Sequence, residues 1–233
     1  MIELTPEFLN TLVRLPLFRG LDGAGLEWVA RRMYQRIFPA GVAVLVAEQP
    51  GEAVYIILQG VVKIVIDHAD KKPVVLSMMG AGEILGEISL LDSAGHSASA
   101  VALEDTLMLW MDKSSFHQML DNFPIVSRNL VTILSMRLRR NNELIQALAT
   151  MDTYGRVARQ LLVFAGNHVT SEEKKPVTLS INITQSDIAD LVGASRRRVN
   201  QVMVAFREQG LISINDAGKI TVLQREGLMK FCK

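Results

Sequence analysis

A chain of 233 residues is long enough for one large domain or two moderate ones. Its hydrophobic content of 49% and charged content of 21% suit a globular protein with a substantial buried core. The single cysteine, Cys232, excludes an internal disulfide and any cluster that needs about four cysteine ligands. No apolar run approaches the ~18 residues of a membrane span, and the start, MIELTPEFLN, lacks the basic-then-apolar order of a signal peptide. A soluble, cytoplasmic protein without membrane contact is expected.

The net charge of +1 conceals an asymmetry. Residues 1–152 hold 13 Lys and Arg against 17 Asp and Glu, whereas residues 153–233 hold 12 against 7. The C-terminal part is therefore basic, as a surface that neutralises phosphates must be.

In chain order, residues 5–36 read as helical, with Thr5 as cap and Pro6 at the first helical position. A second helix begins near Asp22 and runs through Leu26, Val29, Ala30 and Met33. From Ile37 the texture changes to short β-branched runs punctuated by Gly41, Gly51, Gly60, Gly80, Gly82 and Gly86, which implies a sandwich or a small jelly roll. Further strands are expected at Ser99–Val101 and Thr106–Met111, and helix resumes at about Ser114.

Residues 124–151 give the longest helical segment. Positions 130, 134, 137, 141, 144, 148 and 151 alternate steps of four and three and carry Leu, Leu, Arg, Asn, Leu, Leu and Met, a short coiled-coil seam with Asn141 as the polar residue that fixes register. A helix packed only on its own domain remains the alternative. Residues 151–156 carry no strong helix signal, and residues 170–176 read as a loop.

Ile183–Ile212 reads as two short amphipathic helices around a tight turn. Thr184 caps the first, whose apolar face includes Ile188 and Leu191, and Gly193 ends it. Ser195 caps the second, whose core face is Val199, Val202, Met203 and Phe206. Arg196, Arg197, Asn200 and Gln201 lie largely opposite that face, the layout of a helix-turn-helix that offers the start of its second helix to the major groove. Arginine donates bidentately to guanine, and Asn and Gln pair with adenine. A solvated basic helix is the plainer reading, but turn, caps and core spacing coincide with the basic face. Leu211–Leu223 then reads as a hairpin around Asn215–Gly218, a wing that carries Lys219 toward phosphate. The candidate DNA-binding residues are thus Thr184, Gln185, Ser195, Arg196, Arg197, Asn200, Gln201 and Lys219. The chain has no HExxH, GxxxxGK[ST] or GxSxG pattern, and His68, His96 and His117 are too isolated to nominate a metal or haem ligand, so neither an enzyme nor a metal site is expected.

A β-rich N-terminal part, a long helix and a winged helix-turn-helix in this order resemble the cyclic-AMP receptor and fumarate–nitrate regulator superfamily of bacterial transcription factors. The resemblance covers essentially the whole chain and is most specific in Gly82–Asp105, Met151–Leu162 and Ile183–Met203. It implies an α+β fold with three parts: an effector-sensing, cyclic-nucleotide-binding-like jelly roll over residues 1–120, a dimerisation helix over 121–151, and a DNA-binding domain over 152–233. It further implies a homodimer on a pseudo-palindromic double-stranded operator, with RNA polymerase as a partner. Arg196 takes the place of the family's first base reader, Arg197 that of the second (often glutamate), and Gln201 that of the third (often arginine).

Cyclic-AMP binders of the family carry a cassette resembling Gly-Glu-x-x-Leu…Arg-Ser-Ala, in which the glutamate holds the ribose hydroxyl and the arginine and serine hold the phosphate. Here Gly86, Glu87 and Ile88 match the first half, and Gly95-His96-Ser97-Ala98 stands for the second, with His96 in place of the arginine. The loss of one charge-assisted pair costs ~1.5–3 kcal/mol. Asn141 and Asn142 stand where the family's helix contacts adenine across the dimer. His96 as a surface residue of a cassette that binds nothing is the alternative. A cyclic dinucleotide such as cyclic di-GMP, held by Arg31, Arg32, Arg36, Arg137, Arg139 and Arg140, is a further candidate effector, although scattered arginines are usually a solvated face.

Overall fold

The computed structural model describes residues 4–68, 71–166, 175–179, 181 and 183–232, which fall into two compact units, Met1–Arg139 and Arg140–Lys233. The first unit opens with helices α1 (Pro6–Arg14) and α2 (Gly23–Ala30), joined through a 3-10 turn at Pro16–Phe18. Thr5 caps α1 by accepting from the Phe8 N–H at 3.2 Å, and Asp22 caps α2 by accepting from the Gly25 N–H at 2.7 Å. Strands β1 (Tyr34–Phe38), β2 (Ala43–Leu45), β3 (Ala53–Gln59), β4 (Val62–His68), β5 (Lys71–Met79) and β6 (Ile84–Leu85) follow. Helix α3 (Glu87–Leu91), strands β7 (Ser99–Ala102) and β8 (Thr106–Asp112), and helix α4 (Lys113–Asn122) complete the run before the long helix α5 (Pro124–Thr150).

The strands form two four-stranded antiparallel sheets, β1-β8-β3-β6 and β2-β7-β4-β5, the jelly roll expected from the glycine-punctuated runs. The helix expected to reach residue 36 ends at Ala30 instead, because Tyr34–Phe38 pairs along its whole length with Thr106–Trp110. A tertiary partner decides the state of a segment whose Tyr, Ile and Phe suit a strand. Tyr34 stacks on its cross-strand neighbour Trp110 at 4.7 Å.

Both faces of the first sheet are covered, which explains why β3 is nearly continuously apolar. Val54 and Ile56 join the core under the helices with Leu12, Phe18, Val29, Phe116 and Val126. Ile57 and Tyr55 belong to the core between the sheets with Phe38, Val62, Leu85 and Met108.

The α5 surface corrects the expected seam. Leu130 is 3% exposed in the helix-side core, and Arg137 is bonded to Glu87, so neither is available to a second helix. The exposed large apolar residues of α5 are instead Val131 at 63%, Leu138 at 61% and Ile145 at 63%, seven apart, with Leu148 at 43% and, off that line, Met136 at 42%. The line Val131, Leu134, Leu138, Asn141, Ile145, Leu148, in which Leu134 is half-buried against the helix-side core, keeps positions 134, 141 and 148 of the expected seam and moves the others one residue along.

The second unit holds the end of α5, helix α6 (Thr153–Phe164), strand β9 (Val177–Thr178), helices α7 (Gln185–Val192) and α8 (Arg196–Glu208), strands β10 (Ile212–Ile214) and β11 (Ile220–Val222), and helix α9 (Arg225–Met229). Residues 151–156, which lack a helix signal in sequence, contain the start of α6. Asp152 caps it by accepting from the Gly155 N–H at 2.8 Å, and Val157, Ala158, Leu161 and Leu162 are buried. The expected wing hairpin forms, and β9 adds a third strand in the order β10-β11-β9. The end of α5 is held to α6 by the Glu143–Arg159 ion pair at 2.9 Å. Most of the loop expected at residues 170–176 lies outside the described residues.

Candidate nucleic-acid interface and effector cassette

Local capping builds the helix-turn-helix. Thr184 and Asp187 form a reciprocal capping box at the start of α7, which spends the Thr184 hydroxyl on the Asp187 N–H at 3.2 Å. Gly193 ends α7 at φ +61°, a left-handed conformation that costs a residue without Cβ little. Two residues later Ser195 caps α8 by accepting from the Arg198 N–H at 3.2 Å. Val199, Val202, Met203 and Phe206 then bury one face of α8.

The opposite face is polar and open. Arg196, Arg197, Asn200 and Gln201 are exposed. Among the described residues, the side chains of Arg196, Arg197 and Asn200 have no protein partner. They present donors and one amide to the outside at the positive end of the helix, where anions are favoured. Gln185 is half-buried at the first position of α7, and Thr184 and Ser195 are exposed. Lys219 is exposed beside the wing turn, which Asn215 closes by accepting from the Gly218 N–H at 2.8 Å and, through Oδ1, from the Lys219 N–H at 2.8 Å.

The third arginine of the run behaves differently, and sequence reasoning passed it over. Arg198 lies 5.5 Å above the Tyr154 ring of α6, and its Nη1 donates to Gln201 Oε1 at 3.3 Å. The i, i+3 spacing of Arg198 and Gln201 on one helix is the signal that points to this pair.

In the first unit the cassette is closed on itself. Gly86 turns the chain into α3 at φ +81°, where an added Cβ would come within 2.8 Å of the Ala53 carbonyl. Glu87 is 1% exposed and its Oε1 is bound by Arg137 Nη1 at 2.5 Å, while Arg137 Nη2 donates to the Ile84 carbonyl at 2.9 Å. Burial pushes the Glu87 carboxyl above the usual range, and Arg137 pulls against that shift. Fifty residues of chain separate the pair, so no local spacing announces it.

His96 is 9% exposed, which corrects the view of it as a surface residue. It is backed by the chain on both sides, with His96 N–H donating to the Gln49 carbonyl and Glu48 N–H donating to the His96 carbonyl, each at 2.9 Å. The Ser89 hydroxyl donates to the Gly86 carbonyl at 3.0 Å and lies 2.9 Å from His96 Nδ1. One hydrogen cannot serve both, so the tautomer follows the Ser89 hydroxyl: Nδ1–H donates to Ser89 Oγ if the hydroxyl points to Gly86, and Nε2 carries the hydrogen if it points to Nδ1. Burial lowers the His96 pKa, which favours the neutral ring. Ile88 and Ser97 are exposed and Ala98 is half-buried; Asn141 and Asn142 are exposed on α5 in the second unit. A cavity of about 140 Å³ is lined by Glu48, Gly51, Ser89 and Gly95 beside the cassette loop.

Four of the arginines considered for a cyclic dinucleotide have separate partners. Arg31 pairs with Glu27 at 3.9 Å, Arg32 lies 3.9 Å above the Trp28 ring, Arg36 lies 4.7 Å from the Phe38 ring, and Arg137 holds Glu87. Arg139 and Arg140 are exposed on α5. No two of these partners are shared, and among the described residues these contacts do not gather the side chains into one cluster.

Residues 35–123 match the family model of the cyclic nucleotide-binding domain, and residues 155–231 match that of the Crp-like helix-turn-helix domain. A CRP-like cAMP-activated global transcriptional regulator from Mycobacterium tuberculosis is 32% identical over 203 residues, 87% of this chain and 90% of that protein. The cyclic AMP receptor protein of Thermus thermophilus is 30% identical over 214 residues, 92% of this chain and 94% of that protein. Among solved structures, FixK2 from Bradyrhizobium japonicum covers 86% of this chain and 98% of its own, with a TM-score of 0.76 and 20% identity, a likeness of fold. The family's members are transcription factors rather than enzymes, and among the described residues no helix is long and apolar enough to cross a membrane. With both halves matched and relatives at 30% identity or more along most of its length, the chain belongs to the cyclic-AMP receptor and fumarate–nitrate regulator superfamily of bacterial DNA-binding transcription regulators.

Proposed function

We propose that this regulator acts in the cytoplasm as a homodimer on a pseudo-palindromic operator and responds to a small anionic effector through its N-terminal domain. The observation that carries the DNA-binding half is the exposed polar face of α8, with Arg196, Arg197, Asn200 and Gln201 opposite a fully buried apolar face. Thr184, Gln185 and Ser195 hold the helix ends against the backbone, and Lys219 meets phosphate from the wing. The parts are a sensing domain over residues 1–120, the helix over 121–151 and the DNA-binding domain over 152–233. RNA polymerase is the protein partner in view.

The exposed stripe of α5 supports the dimer. Val131, Leu138 and Ile145 at one seam position, with Leu134, Asn141 and Leu148 at the other, make a two-stranded register with one polar layer. Replacement of Leu138 and Ile145 by Asp is expected to give a monomer by light scattering. A variant that stays dimeric removes the stripe from the proposal.

Cyclic AMP is the first effector to test, because the relatives from Mycobacterium tuberculosis and Thermus thermophilus carry it in their names. The cassette fits it in part. Glu87 stands where the ribose would be held, with Ile88 and Ser97 exposed on the cassette, but no fixed cation replaces the family's arginine. Neutral His96 supplies no positive charge to a phosphate until it is protonated. That geometry favours a second reading, a regulator that binds DNA without a ligand. A thermal-shift screen against cyclic AMP, cyclic GMP, cyclic di-GMP and cyclic di-AMP separates them. A true effector at 100 times its Kd adds ~2.7 kcal/mol and raises the midpoint. No rise with any of the four, together with unaided operator binding, selects the second reading.

A further inference from the structure

We infer that Phe231, in the segment that follows α9, is a positioning residue for DNA binding: seated on Gly155, it holds the Tyr154 ring, which in turn holds Arg198 near the start of α8. The inference rests on the reading above that the exposed face of α8 meets DNA. It begins at a glycine. Gly155 lies in the first turn of α6 and has no left-handed backbone to explain it, so alanine would favour the helix there. What bars a side chain is the segment after α9, because a Cβ at this position would lie 2.6 Å from the Phe231 carbonyl oxygen. The bare backbone lets that segment close on α6, where the Cys232 thiol lies 4.0 Å from the Gly155 carbonyl.

Closed there, Phe231 completes a cluster of three rings. It stacks on Tyr154 at 6.1 Å and lies 5.1 Å from Phe206, which meets Tyr154 edge-on at 5.8 Å. Phe206 is fully buried, so Tyr154 is braced by the core and by the segment together. The Arg198 guanidinium lies 5.5 Å from the Tyr154 ring centroid, within reach of a cation–π contact. Arg198 is the third arginine of a run at a helix start, where the helix dipole disfavours cations. Among the described residues its one hydrogen bond runs from Nη1 to Gln201, which leaves most of its five donors for phosphate. A free arginine loses rotamer freedom when DNA orders it. One already held over a ring loses less, and the difference appears as affinity.

The test is affinity as a function of salt for the full-length protein, on an operator that the parent selects from a randomised library. The variants are Arg196→Ala, Arg198→Ala, Tyr154→Leu, Tyr154→Phe, Phe231→Leu, and Phe231→Leu combined with Arg198→Ala. Each is measured well below its own melting transition. Leucine keeps apolar bulk at 154 and 231, so these variants are expected to remain folded while the ring contacts are lost. Arg198→Ala should weaken binding and lower the salt slope by about one counterion. Phe231→Leu should weaken binding by about two- to tenfold, the ordering cost of one long side chain, and should cost nothing further once Arg198 is replaced by alanine. Tyr154→Phe should retain the affinity that Tyr154→Leu loses. If Phe231→Leu lowers the melting temperature and leaves affinity unchanged, the segment is a structural brace only and the proposal falls. It falls equally if the Phe231→Leu loss persists in the Arg198→Ala background, or if Arg198→Ala is without effect while Arg196→Ala weakens binding. If neither arginine variant alters binding, the failure lies in the underlying reading of α8.

Discussion

Around the cassette, Glu87 is 1% exposed and bound to Arg137, and His96 is 9% exposed and bonded to Ser89, whereas on α8 Arg196, Arg197 and Asn200 stand in solvent with their hydrogen-bonding groups unspent. Both regions are built from polar side chains beside a short turn and a helix start. In the first, the polar groups are buried and must satisfy one another, since an unpaired buried charge is costly. In the second, water satisfies them at little cost until DNA replaces it. A surface that meets a large, uniform polyanion can hold its readers ready in advance, while a pocket inside a jelly roll cannot leave its charges open.

The largest effect expected from this contrast is at Arg137. Arg137→Ala leaves the Glu87 carboxyl buried without its partner and should lower stability by about 3 kcal/mol, read as a fall in the urea midpoint of the N-terminal unit. A loss below about 1 kcal/mol would place Glu87 in reach of water and erase the contrast. On α8 the balance is opposite. Arg196→Ala should leave stability within about 0.5 kcal/mol of the parent and reduce operator discrimination at one base pair by about 1–3 kcal/mol. Equal discrimination across an operator series would show that this arginine does not read a base.

The smallest effect is a pH slope. His96 has its folded-state pKa lowered by burial below the ordinary 6.5, so the unfolded chain binds more protons between the two values. His96 therefore contributes stability that is present above about pH 6.5 and lost as pH falls through the folded-state value. His96→Gln should flatten this segment of the stability profile. An unchanged slope in the variant would assign it to another group. Protonated His96 also becomes a double donor, so affinity for an anionic effector should rise over the same fall in pH.

The helix-turn-helix was legible because its determinants are local. Caps at Thr184 and Ser195, the turn at Gly193 and the 3.6-residue spacing of Val199, Val202, Met203 and Phe206 lie within one short stretch. The cassette was legible as a motif but not as a state. Nothing within Gly86–Ala98 says that Glu87 is held by an arginine fifty residues on, or that His96 is buried on Ser89. Residues 34–36 were misread as helix because their partner, β8, lies about seventy residues away. The expected seam on α5 included a core residue for a related reason: Leu130 and Leu144 fit a heptad as well as Val131 and Ile145 do. Only burial in the helix-side core removes Leu130 from the choice.

The sequence by itself determined the order of the parts, the basic C-terminal end, the capped recognition helix and its exposed arginines, because short-range periodicity and end chemistry suffice for each. The tertiary structure alone decided which polar groups are spent and which remain. It closed Glu87 on Arg137, turned His96 inward, moved the open face of α5 by one residue and tied Gln201 to Arg198. Those outcomes depend on which distant surfaces exclude water from a side chain, and exclusion of water is a property of packing rather than of local sequence.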